Sequence, residues 1–335
     1  ATFVRGNGLS VFDFRDKFSK GWGSAYQVLR GTFDKLLADE VQRQGAVVHY
    51  RRETTGVQFN ADGARLTVKT PDGAFEEYEG RFVLDASGSA RVLPRLLGLL
   101  RPSTFPVRQA IFTHVQDGIP SASDFDREKI LVTVHPKRKD VWYWLIPFPR
   151  GRSSVGVVAP SDFLAPFEGD LDAGLKEVQF QASGLKSLLK NAVWDTPAKQ
   201  MKGYAADVST LHGPNFALLG NAGEFLDPVF SSGVTIAFKS ASLAAGLLDR
   251  RFRGESPDWE IKYSAVLRRG VDCFRAYVEA WYDGTFQDII FYEDKEPTIK
   301  RMICSILAGY AWDLSNPHVA DPRRLKSLAA ICKLD

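Results

Sequence analysis

Residues 218–234, Leu-Leu-Gly-Asn-Ala-Gly-Glu-Phe-Leu-Asp-Pro-Val-Phe-Ser-Ser-Gly-Val, form a stretch suited to holding an anion or the edge of a flat heterocycle. The apolar run 216–219 reads as a short strand. Gly220 and Gly223 punctuate the loop that follows, and a helix rich in small residues is expected over 234–248. A helix start carries N–H groups with no intrahelical acceptor and the positive end of the helix dipole. Ser231 or Ser232 can cap it. Gly233 removes a side chain at the place where a ligand would approach the backbone. The alternative is an ordinary strand-to-helix turn, which the same residues would also build.

These residues need a scaffold, and the sequence supplies one in two styles. The first style is α/β. A helix with Phe33, Leu36, Leu37 and Val41 on one face is expected over 29–44, ended by Gly45. Strands are expected over 46–50, 55–59, 64–70 and 75–78, with Asp62-Gly63 and Asp72-Gly73 as tight turns. Another apolar strand, 81–85, runs into Asp85-Ala86-Ser87-Gly88 and a helix over 90–97. A small-residue turn between a strand and a helix is the usual seat of a dinucleotide in α/β folds. The second style is strand-rich. Residues 107–115, 130–135, 141–146 and 153–158 read as an antiparallel sheet with a hairpin at Gly151-Arg152. A helix over 171–189 and a strand over 199–206 follow. After the helix that begins at 234, the chain reads as helical over 260–282, 284–291, 297–308 and 322–332.

Composition narrows the possibilities. With 335 residues, 44% hydrophobic and 25% charged, the chain resembles an ordinary globular protein. Its net charge of +3 is too small to indicate nucleic acid or an anionic membrane surface. No apolar run approaches the roughly 18 residues of a membrane span. Cys273, Cys304 and Cys332 lack metal-ligand spacing, so no metal is expected, and their sparse, odd number fits a reducing, cytoplasmic setting. His49, His114, His135, His212 and His318 form no cluster in sequence and read as structural. The opening residues Thr2-Phe3-Val4-Arg5-Gly6-Asn7 look like the inside of a strand and its turn, so a segment upstream of Ala1 is expected.

Three motifs carry a resemblance that covers nearly the whole chain. Asp85-Ala86-Ser87-Gly88-Ser89-Ala90-Arg91 resembles the Asp-x-x-Gly-x-x-Arg motif of flavin-dependent aromatic hydroxylases. Gly220-Asn221, with Pro228 and Gly233, is similar to their second flavin motif, where Gly-Asp is usual. Trp142-Tyr143-Trp144-Leu145-Ile146-Pro147 matches Trp-x-Trp-x-Ile-Pro, the signature of flavin-dependent halogenases. The chain is thus similar to halogenase-like flavoproteins of the aromatic hydroxylase fold. The resemblance implies an FAD-binding α/β sheet beside an antiparallel substrate sheet, with a helical C-terminal region. It divides the chain into flavin-binding parts at 1–100 and 207–250, a substrate sheet at 101–206 and a helical region at 251–335. It implies FAD held by Arg30, Asp85, Ser87, Gly88, Gly220, Asn221, Pro228, Ser232, Gly233 and Val234. A halide ion would sit at the Ser232 and Gly233 backbone, with Trp142 and Trp144 walling the substrate pocket. A separate flavin reductase would supply reduced flavin, and the substrate would be an aromatic or polyene-type group, free or bound to a carrier protein.

Departures from the pattern are equally informative. No Gly-x-Gly-x-x-Gly occurs, and the family's catalytic lysine lies upstream of the region where this chain begins. Asn221 replaces an aspartate; it still hydrogen-bonds a hydroxyl, without charge. Phe230 stands where tryptophan halogenases carry a glutamate, which argues against free tryptophan as substrate. Trp142 and Trp144 would equally serve as sheet packing, since alternate strand positions face one side. Two further readings therefore stand beside the halogenase: a non-halogenating flavin dehydrogenase or monooxygenase, and a fragment unable to hold FAD.

Overall fold

The computed structural model describes residues 1–292 and 296–332. The chain divides into two units, one of residues 1–28, 105–204 and those from Cys273 on, the other of residues 29–104 and 205–272.

The first unit is built on a sheet of seven strands among the described residues, in the order Lys199–Lys202, Arg108–Gln116, Arg152–Pro160, Trp142–Pro147, Leu131–Val134, Thr2–Arg5 and Gly8–Val11. All neighbours are antiparallel except Thr2–Arg5, which runs parallel to Leu131–Val134. Residues 1–28, read from the sequence as belonging with the flavin-binding part, group with this sheet because that ladder ties them to it. The hairpin joining Trp142–Pro147 to Arg152–Pro160 turns through left-handed Arg150 (φ 61) and Gly151 (φ 70). One face of the sheet, with Ile111, Val115, Tyr143, Leu145, Val155 and Val157, is sealed by Leu164, Leu175, Val178, Leu185 and Leu189. The helix expected over 171–189 is two helices, Leu171–Gln179 and Ser183–Leu188. Between them the Gln181 side chain meets His135 Nε2 at 2.9 Å.

The second unit holds the antiparallel sheet Glu53–Phe59, Ala64–Lys69 and Phe75–Gly80, as the two Asp-Gly turns predict. A smaller sheet pairs Val83–Asp85 in parallel with Phe216–Leu218, which also pairs with His212–Gly213. The two motif-bearing strands are thus direct neighbours, and the turns that follow them, Gly88–Ala90 and Gly220–Ala222, pack against each other. Residues 46–50, expected as a strand, join no ladder, and Val47 is exposed. Arg30–Arg43 is helical, but none of its residues is buried; Leu36 and Val41 stand in solvent. Of the helical stretch expected over 251–335, residues 251–272 group with this unit, while those from Cys273 on group with the seven-stranded sheet.

Candidate functional site

Within the second unit the site is a pair of turns at adjacent strand ends. The first is fastened by Asp85, whose side chain is buried. Its Oδ1 accepts the Ser87 N–H at 2.8 Å and its Oδ2 accepts the Leu93 N–H at 2.7 Å. Ser87 Oγ accepts the Val92 N–H at 2.9 Å. Both side chains therefore shape the turn itself. Gly88 has φ +61 with nothing within 4 Å of where a Cβ would stand, so its position is open as well as left-handed.

The second turn is locked from behind. The Gly220 N–H donates to Ser240 Oγ at 2.9 Å, and that hydroxyl donates to the Ala237 carbonyl at 2.8 Å. A Cβ on Gly220 would stand 2.9 Å from Ala237 Cβ, so this glycine is required by packing and by its φ of +51. Tyr263 Oη donates to the Leu218 carbonyl at 2.6 Å and fixes the strand end. Further along, Asp227 accepts the Val229 N–H at 2.9 Å and sets a short 3-10 turn, Pro228–Phe230. Pro228 supplies its first position, where a missing N–H costs nothing.

The helix that follows, Ser232–Phe252, begins without the expected serine cap. Its N-cap residue is Ser231, in the left-handed region (φ 53, ψ 29), and the Ser231 side chain makes no capping hydrogen bond to the first N–H groups. A non-glycine residue in that conformation costs on the order of 1–3 kcal/mol, held by its surroundings and concentrated at ligand sites. Gly233 has neither a positive φ nor a crowded Cβ position. Its nearest neighbours there would be the Phe225 ring at 3.5 Å and Asn221 Oδ1 at 3.7 Å, ordinary contacts. Nothing inside the protein requires glycine at 233, whereas packing and backbone require it at 220. An uncapped helix start beside a dispensable glycine and an amide is a fitting seat for an anion and a flat ring. Ser232 is buried, Asn221 and Gly233 are half-buried and Val234 is 40% exposed. The Arg30 guanidinium is exposed and forks onto Asp34 at 2.9 and 3.0 Å.

In the first unit the two tryptophans share one sheet face but differ. Trp142 is buried, packs edge-on against Trp281 and donates its indole N–H to Tyr282 Oη at 3.2 Å. Trp144 is half-buried. It donates to Ser154 Oγ at 3.1 Å and lies flat across Gly156, where a Cβ would stand 2.2 Å from its ring. Gly156 escaped the sequence reading and Asp227 entered it only as part of the 218–234 stretch; the strand register and the turn geometry reveal what they do. Among the described residues no group of side chains is arranged to hold a metal, and no helix is long and apolar enough to cross a membrane.

Comparison with known proteins places this geometry. The tryptophan halogenase family model matches residues 12–303. A 1H-pyrrole-2-carbonyl-[peptidyl-carrier protein] chlorinase of Pseudomonas fluorescens is 26% identical over 89% of this chain and 67% of its own length. The crystal structure of a flavoprotein/dehydrogenase from Cytophaga hutchinsonii superposes with TM-score 0.95 at 39% identity, over 100% of this chain and 82% of that one. The flavin-dependent halogenase CmlS superposes with TM-score 0.76 at 28% identity, over 90% of this chain and 54% of that one. The chain spans about half to two thirds of the length of the curated halogenases it matches. With most of its length matched by the family model, the chain belongs to the tryptophan halogenase family of FAD-dependent enzymes.

Proposed function

We propose that the protein is a halogenase-like FAD oxidoreductase acting on an aromatic or polyene-type group, free or held on a carrier protein. The observation that carries this reading is the uncapped helix start at Ser231–Gly233, set beside two glycine turns at adjacent parallel strand ends. Gly88, Gly220 and Asn221, with the backbone of Ser232, Gly233 and Val234, would hold the flavin. Asp85, Ser87 and Pro228 would act by shaping the turns. Arg30 would have to leave Asp34 to take part. The free N–H groups of Ser232 and Gly233 would hold the halide. Trp144, with Trp142 packed behind it, would wall the substrate side. The flavin, reduced by a separate reductase, would supply two of the four electrons that take dioxygen to water, and the halide would supply the other two as it becomes the halogenating equivalent. Apolar Phe230 near the helix start suits a phenolic, pyrrolic or polyene group better than a zwitterion, whose charges would need partners there. The pyrrole-carrier specificity named for the Pseudomonas relative supports that substrate class, and a cytoplasmic setting fits the sparse, odd number of cysteines.

Two measurements test the reading. Gly233→Trp would fill the space above the helix start and should abolish flavin binding, read by absorbance after gel filtration; flavin retained at parental affinity would refute the site. Protein with a flavin reductase should convert an electron-rich aromatic only with chloride or bromide present, the product carrying the halogen isotope pattern. The resemblance to a flavoprotein/dehydrogenase favours a second reading, flavin oxidation without halide. Equal turnover with and without halide, giving unhalogenated product, would select it.

A further inference from the structure

The face of the seven-stranded sheet that carries Trp144 also carries a histidine, His114, whose ring nitrogens bond no side chain among the described residues. Phe112, Gly156 and Trp144 are directly opposite one another across three strands; His114, Ser154 and Ile146 form the next row on the same face. Trp144, Ile146, Phe112 and His114 are all half-buried. The Phe112 and Trp144 rings lie 6.0 Å apart, and Phe148 meets the His114 ring edge-on at 5.6 Å. His135 and His212, by contrast, each use a ring nitrogen on a neighbouring side chain. Neither ring nitrogen of His114 has a hydrogen-bond partner among the described residues. Burial, then the positive charges of Arg152 and Lys199, lower its pKa and keep the imidazole neutral at pH 7. A neutral imidazole always presents one acceptor nitrogen. The ring nitrogens of His114 are not among the buried polar atoms left without a partner, so this acceptor is open on the aromatic face for a ligand to take.

We propose that this face takes a single aromatic ring, with Trp144, Phe112 and Ile146 as its apolar wall and His114 accepting a hydrogen bond from the ring's own N–H or O–H. His114 is then a substrate-binding and specificity residue. It selects rings bearing a weakly acidic proton, pyrrolic or phenolic, over their N- or O-alkylated counterparts. The proposal deepens the aromatic-substrate reading and rests on it.

The test is a binding measurement with no flavin, reductase or halide present. Methyl pyrrole-2-carboxylate and its N-methyl counterpart are titrated into the full chain by calorimetry. The N–H probe is expected to bind about tenfold more tightly, the worth of one neutral hydrogen bond. His114→Phe should erase that preference, while His114→Gln, which keeps an acceptor, should retain part of it. In protein labelled at histidine, the ring signal missing from the His114→Gln spectrum should move with the N–H probe and stay still with the N-methyl one. Equal affinity for both probes, no binding of either, or a preference that survives His114→Phe would overturn the proposal. A retained preference in a protein that turns over without halide would remove the halogenation reading and leave this one standing.

Discussion

The two faces of the strand Trp142–Pro147 show how one element serves two purposes. On one face Tyr143 and Leu145 are 0% exposed, sealed by the helices Leu171–Gln179 and Ser183–Leu188. That seal is pinned by the Gln179 amide, which donates to the Gly156 carbonyl at 2.7 Å. On the other face Trp144 and Ile146 remain half-buried. The strand's period of two assigns successive residues to a closed core and to an accessible wall. The rigidity of the first therefore holds the second in place. Within the wall there is a further division. Trp142 is closed over by Trp281 and Tyr282, so of the motif's two tryptophans one is packing and one is surface.

Truncating the packed members should separate the faces most clearly. Trp142→Ala is expected to cost about 3–5 kcal/mol and Leu145→Ala about 2–5 kcal/mol of unfolding free energy. Trp144→Ala should cost clearly less in urea denaturation. Under the proposed function the same Trp144 variant should lower the yield of halogenated product or release a hydroxylated one. A Trp144 variant as unstable as the Trp142 variant, with its product unchanged, would erase the distinction between the two indoles.

A smaller effect sharpens the wall itself. Gly156 is where the Trp144 indole lies against the neighbouring strand. Gly156→Ala should displace the ring and break its bond to Ser154, at a cost of about 1–3 kcal/mol typical of overpacking. In the Trp144→Ala background the same change should cost little, because the atom it collides with is gone. A double-mutant cycle reads this as a coupling energy. Additive costs would mean that Gly156 answers to something other than the tryptophan.

How much of this was legible in the sequence depends on whether the cause is local. The strands Val83–Asp85 and Phe216–Leu218 were legible because each ends in a turn of recognisable chemistry, whereas their parallel pairing comes from the structure. The meander was legible because Asp-Gly turns bound each strand. The parallel ladder of Thr2–Arg5 on Leu131–Val134 was not, since nothing near residue 4 marks a partner more than a hundred residues away. The helix Arg30–Arg43 has the expected period, but period alone does not say whether a partner covers the face. At the candidate site the structure adds tasks that no local pattern in the sequence marks. Asp85 and Ser87 shape the first turn, Gly220 is required by packing, and the serine expected to cap the helix leaves it uncapped. His114 was set aside because its neighbours on the sheet face are distant in sequence, and only the register brings them together.

The smallest expected effect tests the closed face. Tyr143 lies fully inside the core, and its Oη has no hydrogen-bond partner among the described residues. Burial pushes the phenol's pKa well above its ordinary value, so the hydroxyl stays neutral at any working pH. A buried hydroxyl without a partner has lost its bonds to water and gained none in return. The ring does the packing, beside His135 at 6.1 Å and among the aliphatic side chains of the two helices. Tyr143→Phe keeps the ring and removes only the unpaired group, so it should leave stability unchanged or raise it by up to about 1 kcal/mol. Urea denaturation of the variant beside the parent reads the sign. It should also leave probe binding on the Trp144 face untouched, because alternate positions of a strand face opposite ways. A loss of more than about 1 kcal/mol would mean that the hydroxyl is hydrogen-bonded in the core. A change in probe affinity would mean that the two faces are coupled through the strand.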